Sequence, residues 1–335
     1  MKHSTVFQPL GMSRRHGLGA LLALAVLSAA GASAGAAEAY PARPVHIVVP
    51  VSAGGSTDKI ARLVAQRLGE RWGQPVVVEN VPGAGGSIGA ARVAKARPDG
   101  YTLLMHSDAV VLNTVLMKRP PYALRDFTGV VRAVANPQIL VVRPSLGVKT
   151  FEQYLAMARQ SPGKITLGLP TSGGIAHIAH EMIQMQTGIR VNYIPYPGGG
   201  PALTDVLAGH IDATMITMAA ATEFAKAGRV VPLAVTTLRR APALPEVPTV
   251  AESGLPGFEV ESWQGVLAPA GTPPAIVARI NKDVMEALNQ PAVKSQVEAQ
   301  GYGIAGGSPQ AFDQALAQDL KHYARIIEAA QITLQ

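Results

Sequence analysis

A strand, a glycine loop and a helix follow one another within residues 45–68, and this order constrains the fold more than any other stretch. The apolar run 45–51 predicts a buried strand, and the apolar residues of 60–68 recur at helical spacing. Between them, two glycines permit a tight turn, and Ser56 or Thr57 can cap the helix. A helix N-terminus presents free N–H groups and the positive end of the helix dipole, which suit an anion. The simpler interpretation is a structural turn of the kind that any α/β protein contains.

The same order of elements occurs twice in the chain. After the first helix, strands are predicted at 75–79 and 101–106, with a second glycine-rich loop between them. Residues 164–216 repeat the series of strand, loop, helix, strand, loop, helix and strand. Short connections between alternating strands and helices are typical of a parallel α/β sheet. Two lobes built alike would place helix N-termini on both sides of a cleft, next to the glycine loops 54–55, 83–86, 173–174 and 198–200.

The other segments indicate how the two lobes are joined. Apolar runs at 139–143 and 230–236 are candidate strands that cross between the lobes, whereas residues 107–163 show less regular patterning. Frequent prolines predict that much of 240–275 is loop, and two long helices complete the chain and pack on the first lobe. The predicted organisation is a signal peptide at 1–37, a first lobe at 38–140 and 236–335, and a second lobe at 141–235.

The N-terminus has the composition of a secretory signal peptide. Basic residues precede a 13-residue apolar run at 18–30, and small residues follow at 34–36. The apolar run is too short to act as a stop-transfer helix, although an uncleaved anchor is the alternative interpretation. We therefore predict cleavage within 34–39 and a periplasmic location. Arg14 and Arg15 also resemble a twin-arginine signal, so the Sec and twin-arginine routes both stay open.

The composition excludes several classes of protein. The chain contains no cysteine, which excludes disulfides, thiolate metal sites and cysteine nucleophiles, and which agrees with an exported bacterial protein that depends on its core alone. The net charge is +7, but three of the 29 basic residues lie in the signal, which leaves 26 against 22 acidic residues and a charge of +4. Scattered charges and few aromatic residues argue against nucleic-acid binding, whereas mild basicity agrees with an anionic ligand. No second long apolar run follows, so we expect a soluble body.

Motifs that would indicate catalysis or a cofactor are incomplete. The stretch GAGGSIG lacks the third glycine of a dinucleotide fingerprint, because Ile88 stands in its place. His177 and His180 lie one turn apart on a helix, but the order is not H-E-x-x-H and no third metal ligand is evident, so we interpret them as helix histidines near a loop. Ser107 and Asp108 have no histidine placed by sequence to serve them, and no G-x-S-x-G elbow, Walker A loop or S-x-x-K is present. We predict a binding protein, not an enzyme, with no cofactor and no metal.

Longer stretches of the sequence resemble a known family. Residues 50–58, PVSAGGSTD, match the P-x-x-x-G-G-x-x-D signature of the Bordetella uptake gene (Bug) receptors, the TctC-like periplasmic solute-binding proteins of tripartite tricarboxylate transporters. The strings 78–104, 196–212 and 244–274 resemble the same family, so the resemblance covers nearly the whole mature chain. It implies an α/β, two-lobed type II periplasmic-binding-protein fold that closes on a small organic carboxylate. It also implies delivery to the permease subunits of the transporter, and we expect a monomer.

In such receptors a ligand carboxylate is held largely by backbone N–H groups and loop side chains, often through ordered waters. Carried over by position, the resemblance implies a first-lobe ligand site at Ser52, Ala53, Gly54, Gly55, Ser56, Thr57 and Asp58, with Ser107 nearby. In the second lobe it implies Thr171, Ser172, Gly173 and Gly174, together with Pro197, Gly198, Gly199 and Gly200. The family usually has G-x-G-[ST]-x-x-H before this helix, whereas this chain has Thr171 at the first glycine and Gly174 at the hydroxyl position. Asp58 is a first-turn carboxylate that the helix dipole favours, which predicts a structural role.

Three functions are compatible with this sequence. The first is a transport receptor for a small organic anion, and the second is a ligand-sensing binding protein that presents its closed form to a signalling partner. The third is a periplasmic enzyme, which would need a nucleophile or base that the sequence does not identify. Neighbouring genes for large and small membrane subunits would favour transport, and a neighbouring sensor kinase would favour sensing.

Overall fold

The computed structural model describes residues 1–6, 40–299 and 301–332. Apart from residues 1–6, which are exposed, the predicted signal peptide lies outside the described residues. The chain divides into two compact units, Met1–Ala42 and Arg43–Gln335. Every element described below lies in the second unit.

The described part of the chain contains ten strands and ten α-helices. The strands are β1 Val45–Val49, β2 Val76–Asn80, β3 Thr102–Ser107, β4 Phe127–Val142, β5 Thr166–Leu169, β6 Asn192–Pro195, β7 Ala213–Thr217, β8 Val231–Val235, β9 Glu261–Pro269 and β10 Gly303–Ile304. The helices are α1 Ser56–Trp72, α2 Ser87–Ala94, α3 Ala109–Leu116, α4 Phe151–Gln160, α5 Ile175–Thr187, α6 Gly199–Ala208, α7 Met218–Lys226, α8 Pro274–Leu288, α9 Pro291–Ala299 and α10 Pro309–Ala329.

The strand order explains the two lobes. The main path through the sheet is β2-β1-β3-β9-β4-β7-β5-β6, and β8 and β10 also pair with β4. At one end β1 pairs in parallel with β2 and β3, and at the other β5 pairs in parallel with β6 and β7. Antiparallel strands join the two halves, because β9 pairs with β3 and β4, and β4 pairs with β7 and β8. The predicted two-lobed α/β fold is confirmed.

Strand β4 belongs to both lobes. Its residues up to Pro137 pair with β9, and its residues from Gln138 pair with β7. The run at 139–143 was predicted as a strand that crosses between lobes, and it forms the end of a strand that begins at Phe127 and is 16 residues long. The change of partner lies close to the predicted lobe boundary at residue 140, although the boundaries themselves stay predictions.

Helices cover the sheet and bury its apolar side chains. Trp263 of β9 is almost completely buried, and its ring packs edge-to-face on Phe312 of α10, with ring centroids 5.2 Å apart. Helices α8 and α10 both pack on β4, which agrees with the predicted return of the two long helices to the first lobe. Helix α10 also contacts α5 of the second lobe. No described helix is long and apolar enough to cross a membrane.

Much of 240–275 is loop, as predicted, but this segment also contains a strand that was not predicted, and residues 107–163 are more regular than expected. Residues 240–275 contain β9, because Pro256 precedes this strand and Pro269 ends it, so neither proline interrupts its hydrogen bonds. Residues 107–163 contain α3, α4 and all of β4. The sequence of α3, AVVLNTVL, is apolar on almost every face, and a buried helix of this kind lacks the polar stripe that identifies a surface helix.

Candidate ligand-binding site

The first predicted loop joins β1 to α1 through a tight turn. Gly54 has a φ of +84°, a left-handed conformation that favours glycine, and Gly55 is extended with a φ of −66° and a ψ of 164°. Gly55 donates its N–H to the carbonyl oxygen of Ser52 at 3.3 Å. The prediction that Ser56 or Thr57 caps the helix is wrong, because Gly55 is the N-cap and no side chain bonds there.

Asp58 holds this loop from the first turn of α1. Its carboxylate accepts the Gly54 N–H at 2.8 Å, the Arg62 Nε–H at 2.9 Å and the Asn80 Nδ2–H at 2.9 Å. Burial alone would raise the pKa of Asp58, but hydrogen bonds from Arg62, Gly54 and Asn80 outweigh it and lower the pKa to about 2. The carboxylate is therefore charged at neutral pH and engaged within the protein, which agrees with the predicted structural role.

The first loop of the second lobe, between β5 and α5, has the same geometry. Gly173 has a φ of +75°, and Gly174 is the extended N-cap, with a φ of −73° and a ψ of 171°. Gly174 donates its N–H to the carbonyl oxygen of Thr171 at 3.1 Å. Gly173 donates its N–H to Nδ1 of His177 at 3.0 Å, so His177 takes the place that Asp58 has in the first lobe.

Both turns present backbone N–H groups that no acceptor within the helix can reach. Ser56 and Thr57 open α1, and Ile175 and Ala176 open α5, and the N–H groups of a first helical turn have no partner inside the helix. The positive ends of both helix dipoles add to the attraction for an anion. The exposed residues before each helix are Ser52, Ala53 and Gly54 in the first lobe and Thr171 and Ser172 in the second, whereas Gly173 is buried.

The second glycine loop of each lobe also has matching geometry. Gly198, which precedes α6, has a φ of 126° and a ψ of 169°, and Gly83, which precedes the turn into α2, has a φ of 125° and a ψ of 146°. Pro197 and Gly200 are exposed, and Gly198 and Gly199 are partly exposed. The predicted repetition of the two lobes thus extends to the backbone conformation of their loops.

A band of polar side chains crosses the sheet from β3 to β7. Ser107, at the end of β3, pairs with Gln264 of β9. Gln264 pairs in turn with Val134 of β4, two residues before Asn136. Side chains two residues apart on a strand share a face, so Asn136 and Gln138 continue the band. Gln138 pairs with Thr217 at the end of β7. The polar band therefore extends from the first lobe into the second.

Several atoms of the polar band are buried, and residues 40–299 and 301–332 offer them no hydrogen-bond partner. These atoms are Nδ2 and Oδ1 of Asn136, Nε2 of Gln138 and Oε1 of Gln264, in side chains at most 3% exposed. Leaving such a group unpaired costs about 1–3 kcal/mol. The other end of Gln264 connects the band to the first loop, because its Nε2–H donates to the Tyr302 hydroxyl at 2.9 Å and to the Ser56 hydroxyl at 3.4 Å.

Sequence analysis named Ser107 but missed the three amide side chains of the polar band. Gln138 and Gln264 stand in the strand sequences PQILVV and WQGVLAP, which are otherwise apolar, and Asn136 follows the apolar run AVA. A buried amide in a strand is unusual enough to indicate a special position. Tyr302 had no comparable signal in the sequence, because it follows α9 in a short turn.

The two helix histidines of α5 are hydrogen-bonded within the second lobe. His180 is fully buried between two hydroxyls, those of Tyr154 at 2.8 Å from Nε2 and Tyr193 at 2.8 Å from Nδ1. Burial lowers the pKa of His180 to about 3, so the ring is neutral. His177 places Nε2 at 3.5 Å from Oε1 of Glu181. The described residues contain no group of three or more His, Cys, Asp or Glu side chains that could hold a metal ion.

A cavity of about 880 Å³ lies away from the predicted glycine loops. It is lined by residues 237–243 and 301–306 and by charged side chains that include Arg132, Glu259 and Glu261. None of the predicted loop residues lines it. The lining carries three arginines and three glutamates, namely Arg132, Arg239, Arg240, Glu259, Glu261 and Glu298, so it offers a carboxylate no net positive charge. The loops and the polar band therefore form the better candidate for an anion site.

Known proteins with similar sequences are solute-binding proteins. The sequence model of the family described as "Tripartite tricarboxylate transporter family receptor" matches residues 60–332. Protein BugT of Bordetella pertussis is 37% identical over 311 residues, which cover 92% of this chain and 95% of BugT.

Three solved structures are similar in both fold and sequence. R. palustris Rpa4515, solved with adipate, has a TM-score of 0.75 and 35% identity, and the match covers 88% of this chain and 99% of that one. The periplasmic binding protein BugD has a TM-score of 0.72 and 33% identity, with 88% and 100% covered. MatC (Rpa3494) of Rhodopseudomonas palustris, solved with bound malate, has a TM-score of 0.71 and 29% identity, with 86% and 100% covered.

Proposed function

Because this chain belongs to the tripartite tricarboxylate transporter receptor family, we propose that it captures a small dicarboxylate between its lobes and delivers it to the membrane subunits of such a transporter. The family and the structural neighbours are solute-binding receptors rather than enzymes, and so is this chain. Adipate and malate, the solutes in two similar structures, are both dicarboxylates. These two compounds are therefore the first ligands to test.

The observation that carries this proposal is the matched pair of loops before α1 and α5. Each loop presents first-turn N–H groups and a helix dipole, and one helix N-terminus favours an anion by about 0.3–1 kcal/mol, or up to about 2 kcal/mol when partly buried. The four glycine loops contain no Lys or Arg. We infer that the backbone anchors the carboxylate, and that the predicted loop residues and Ser107 surround it.

The polar band supplies the remaining contacts in this proposal. Asn136, Gln138 and Gln264 carry both donors and acceptors, so they can bind the second polar end of a solute directly or through ordered water. Their buried position makes each contact strong, since a polar atom there has little access to bulk water. A solute with a carboxylate at one end and a polar group at the other fits both parts of the site.

The proposed location and partners follow from the family. BugD is described as a periplasmic binding protein, and we infer that the signal peptide at 1–37 exports this chain to the periplasm. The receptor acts there as a monomer, with lobes formed by 38–140 with 236–335 and by 141–235. Permease subunits of the transporter receive the solute.

A thermal-shift and calorimetric titration tests the ligand class. Purified protein is titrated with adipate and malate, and with a monoamine of similar length as the cationic control. We expect at least one dicarboxylate to stabilise the protein, by about 2.7 kcal/mol at 100 times its Kd. Binding of the amine while neither adipate nor malate binds would overturn the proposal.

A pair of substitutions at Ser56 tests the backbone anchor. Proline fits the first position of a helix, and the extended Gly55 before it suits proline, so Ser56→Pro removes one N–H with little change of fold. Ser56→Ala is the matched control, since it removes the hydroxyl and keeps the N–H. We expect Ser56→Pro to weaken dicarboxylate binding about 10- to 100-fold, as for loss of a hydrogen bond to a charged group, and Ser56→Ala to weaken it much less. Equal affinities in the two variants would contradict backbone anchoring by α1.

A further inference from the structure

The side chains that lock the two matched loops differ in chemistry. Asp58 and His177 are each the third residue of their helix, and each accepts the N–H of the glycine four residues earlier. The distances are 2.8 Å from Gly54 to Asp58 and 3.0 Å from Gly173 to His177. A carboxylate accepts such a bond whenever it is ionised, whereas an imidazole nitrogen accepts one only while it carries no proton.

We propose that His177 is a positioning residue of the solute site, which holds residues 171–174 in their binding conformation while its ring is neutral and releases them when the ring is protonated. This inference rests on the proposed function, because it concerns the second-lobe half of the same site. It predicts that acidification weakens solute binding through the second lobe alone.

The hydrogen bonds around His177 define its tautomer. Nδ1 accepts the Gly173 N–H, so the single proton of the neutral ring lies on Nε2, which faces Glu181 at 3.5 Å. Protonation adds a hydrogen to Nδ1, which then points at the Gly173 N–H. Two donors cannot bond to each other, and Gly173 is buried, so its N–H regains a partner only if the loop moves.

The ionisable groups that face His177 are Glu181 and His180 on α5 and Tyr193 on β6. The Tyr193 ring lies edge-on, with its centroid 4.9 Å from that of His177. Burial lowers the pKa of His180 to about 3 and raises the pKa of Tyr193, so both stay neutral near neutral pH. Burial would raise the pKa of Glu181, but hydrogen bonds from His177, Gln184 and Tyr193 outweigh it and lower that pKa, so Glu181 stays ionised. The protonation change that we propose is therefore that of the His177 ring, whose Nδ1 accepts the Gly173 N–H.

The first lobe does not share this sensitivity. The pKa of Asp58 lies at about 2, so its carboxylate continues to accept the Gly54 N–H throughout the same pH range. A fall in pH therefore leaves the loop before α1 in place and frees the loop before α5. A receptor built in this way keeps half of its site formed while it releases the solute.

Two substitutions separate the effect of the Gly173–His177 hydrogen bond from the effect of side-chain packing. His177→Asn places an amide oxygen near the position of Nδ1, so it accepts the Gly173 N–H but does not titrate. His177→Leu fills similar space and accepts nothing. We expect wild-type protein to bind adipate at least about tenfold more weakly at about pH 5.5 than at about pH 8, and His177→Leu to bind weakly at both. His177→Asn should retain the affinity that the wild type has at about pH 8.

The ratio of wild-type to His177→Asn affinity isolates the effect of the ring. Adipate also gains protons on acidification, but this change is the same for both proteins, so it cancels in the ratio. We expect the ratio to fall as the pH is lowered. A ratio that is constant from about pH 8 to about pH 5.5 would overturn the proposal.

A measurement without ligand distinguishes this inference from the proposed function. In ¹⁵N-labelled protein, the Gly173 amide shift should follow the titration of the His177 ring nitrogens, and in His177→Asn it should stay constant over the same pH range. If adipate and malate both fail to bind while the Gly173 shift still titrates with His177, the lock stands and the proposed ligand is wrong. If the Gly173 shift is independent of the His177 titration, the lock is wrong whatever the protein binds.

Discussion

Two aspartates show that burial alone does not determine the pKa of a carboxyl group. Asp58 is buried among donors, and its pKa lies at about 2. Asp108 is buried too, and it accepts the Ser262 hydroxyl at 2.9 Å and the Trp263 N–H at 3.4 Å, but these bonds do not outweigh its burial, and Asp319 lies nearby. Burial raises the pKa of Asp108 to about 6, and the negative charge of Asp319 adds to the effect. The two carboxylates therefore affect stability in opposite directions as the pH changes.

Replacing each aspartate by asparagine tests this difference. An acid whose pKa is raised on folding stabilises the protein below its unfolded pKa and loses that contribution as the pH rises toward its folded value, here about 6. We therefore expect Asp108→Asn to raise the free energy of unfolding at about pH 8, by about 1–2 kcal/mol. Asp58→Asn is the matched control of opposite sign, since its stabilisation is present above its unfolded pKa and is lost as the pH falls through about 2.

Urea unfolding at about pH 8 and about pH 4 measures both effects. Asp58→Asn should lower the free energy of unfolding at about pH 8 by about 2 kcal/mol. The gain from Asp108→Asn should shrink at about pH 4, where the native carboxyl is protonated. A loss of stability at both pH values for Asp108→Asn would show that its hydrogen bond to Ser262 matters more than its buried charge.

At the scale of elements, glycines in β9 and β4 allow α10 to lie close to the sheet. Gly265 of β9 lies so close to α10 that an added Cβ would stand 2.7 Å from Cζ of Phe312 and 2.8 Å from the carbonyl oxygen of Val131. Gly129 of β4 meets the same helix, with Phe312 Cδ1 at 2.8 Å from the added atom. Glycines on neighbouring strands thus allow α10 to approach the sheet and cover Trp263.

An alanine scan of two glycines tests this packing. We expect Gly265→Ala to lower the free energy of unfolding by about 2 kcal/mol or more, because the backbone oxygen of Val131 cannot yield as a side chain can. The matched control is Gly69→Ala within α1, where the nearest atom to an added Cβ lies at 3.6 Å. That change should stabilise the helix by about 0.5–1 kcal/mol. Equal melting temperatures for the two variants would show that the sheet relaxes around Gly265.

At the scale of the whole molecule, β4 is the strand through which the lobes are continuous. One strand with different partners at its two ends permits a change of angle between the lobes with few broken hydrogen bonds. A solute that contacts the loops of both lobes would favour the closed arrangement by its additional contacts there.

Small-angle scattering tests this closure. We expect the radius of gyration of the purified protein to decrease when adipate or malate saturates it. The monoamine that serves as the cationic control should leave the scattering curve unchanged. Superimposable curves with and without a solute that calorimetry shows to be bound would contradict closure.

The sequence by itself determined the features that depend on neighbours along the chain. The strand, glycine loop and helix of each lobe were predicted because their signals lie within a few residues, and the Gly54–Asp58 and Gly173–His177 bonds span four residues each. Asp58 could be assigned a structural role for the same reason, since a first-turn carboxylate acts on its own helix terminus. Features that depend on residues a few positions apart can therefore be predicted from the local sequence.

Only the tertiary structure decided which distant segments meet. Asn136 and Gln264 lie more than 100 residues apart, and they reach one polar band solely because β4 and β9 pair antiparallel. The prolines of 240–275 concealed β9, since a proline at the end of a strand and a proline in a loop look alike in sequence. Only the structure shows that His177 accepts a hydrogen bond from the loop before α5, because an imidazole at this helix position can face solvent, a metal ion or the backbone. The pairing of distant strands depends on the apolar surface that the whole sheet buries, and a local sequence pattern cannot report that quantity.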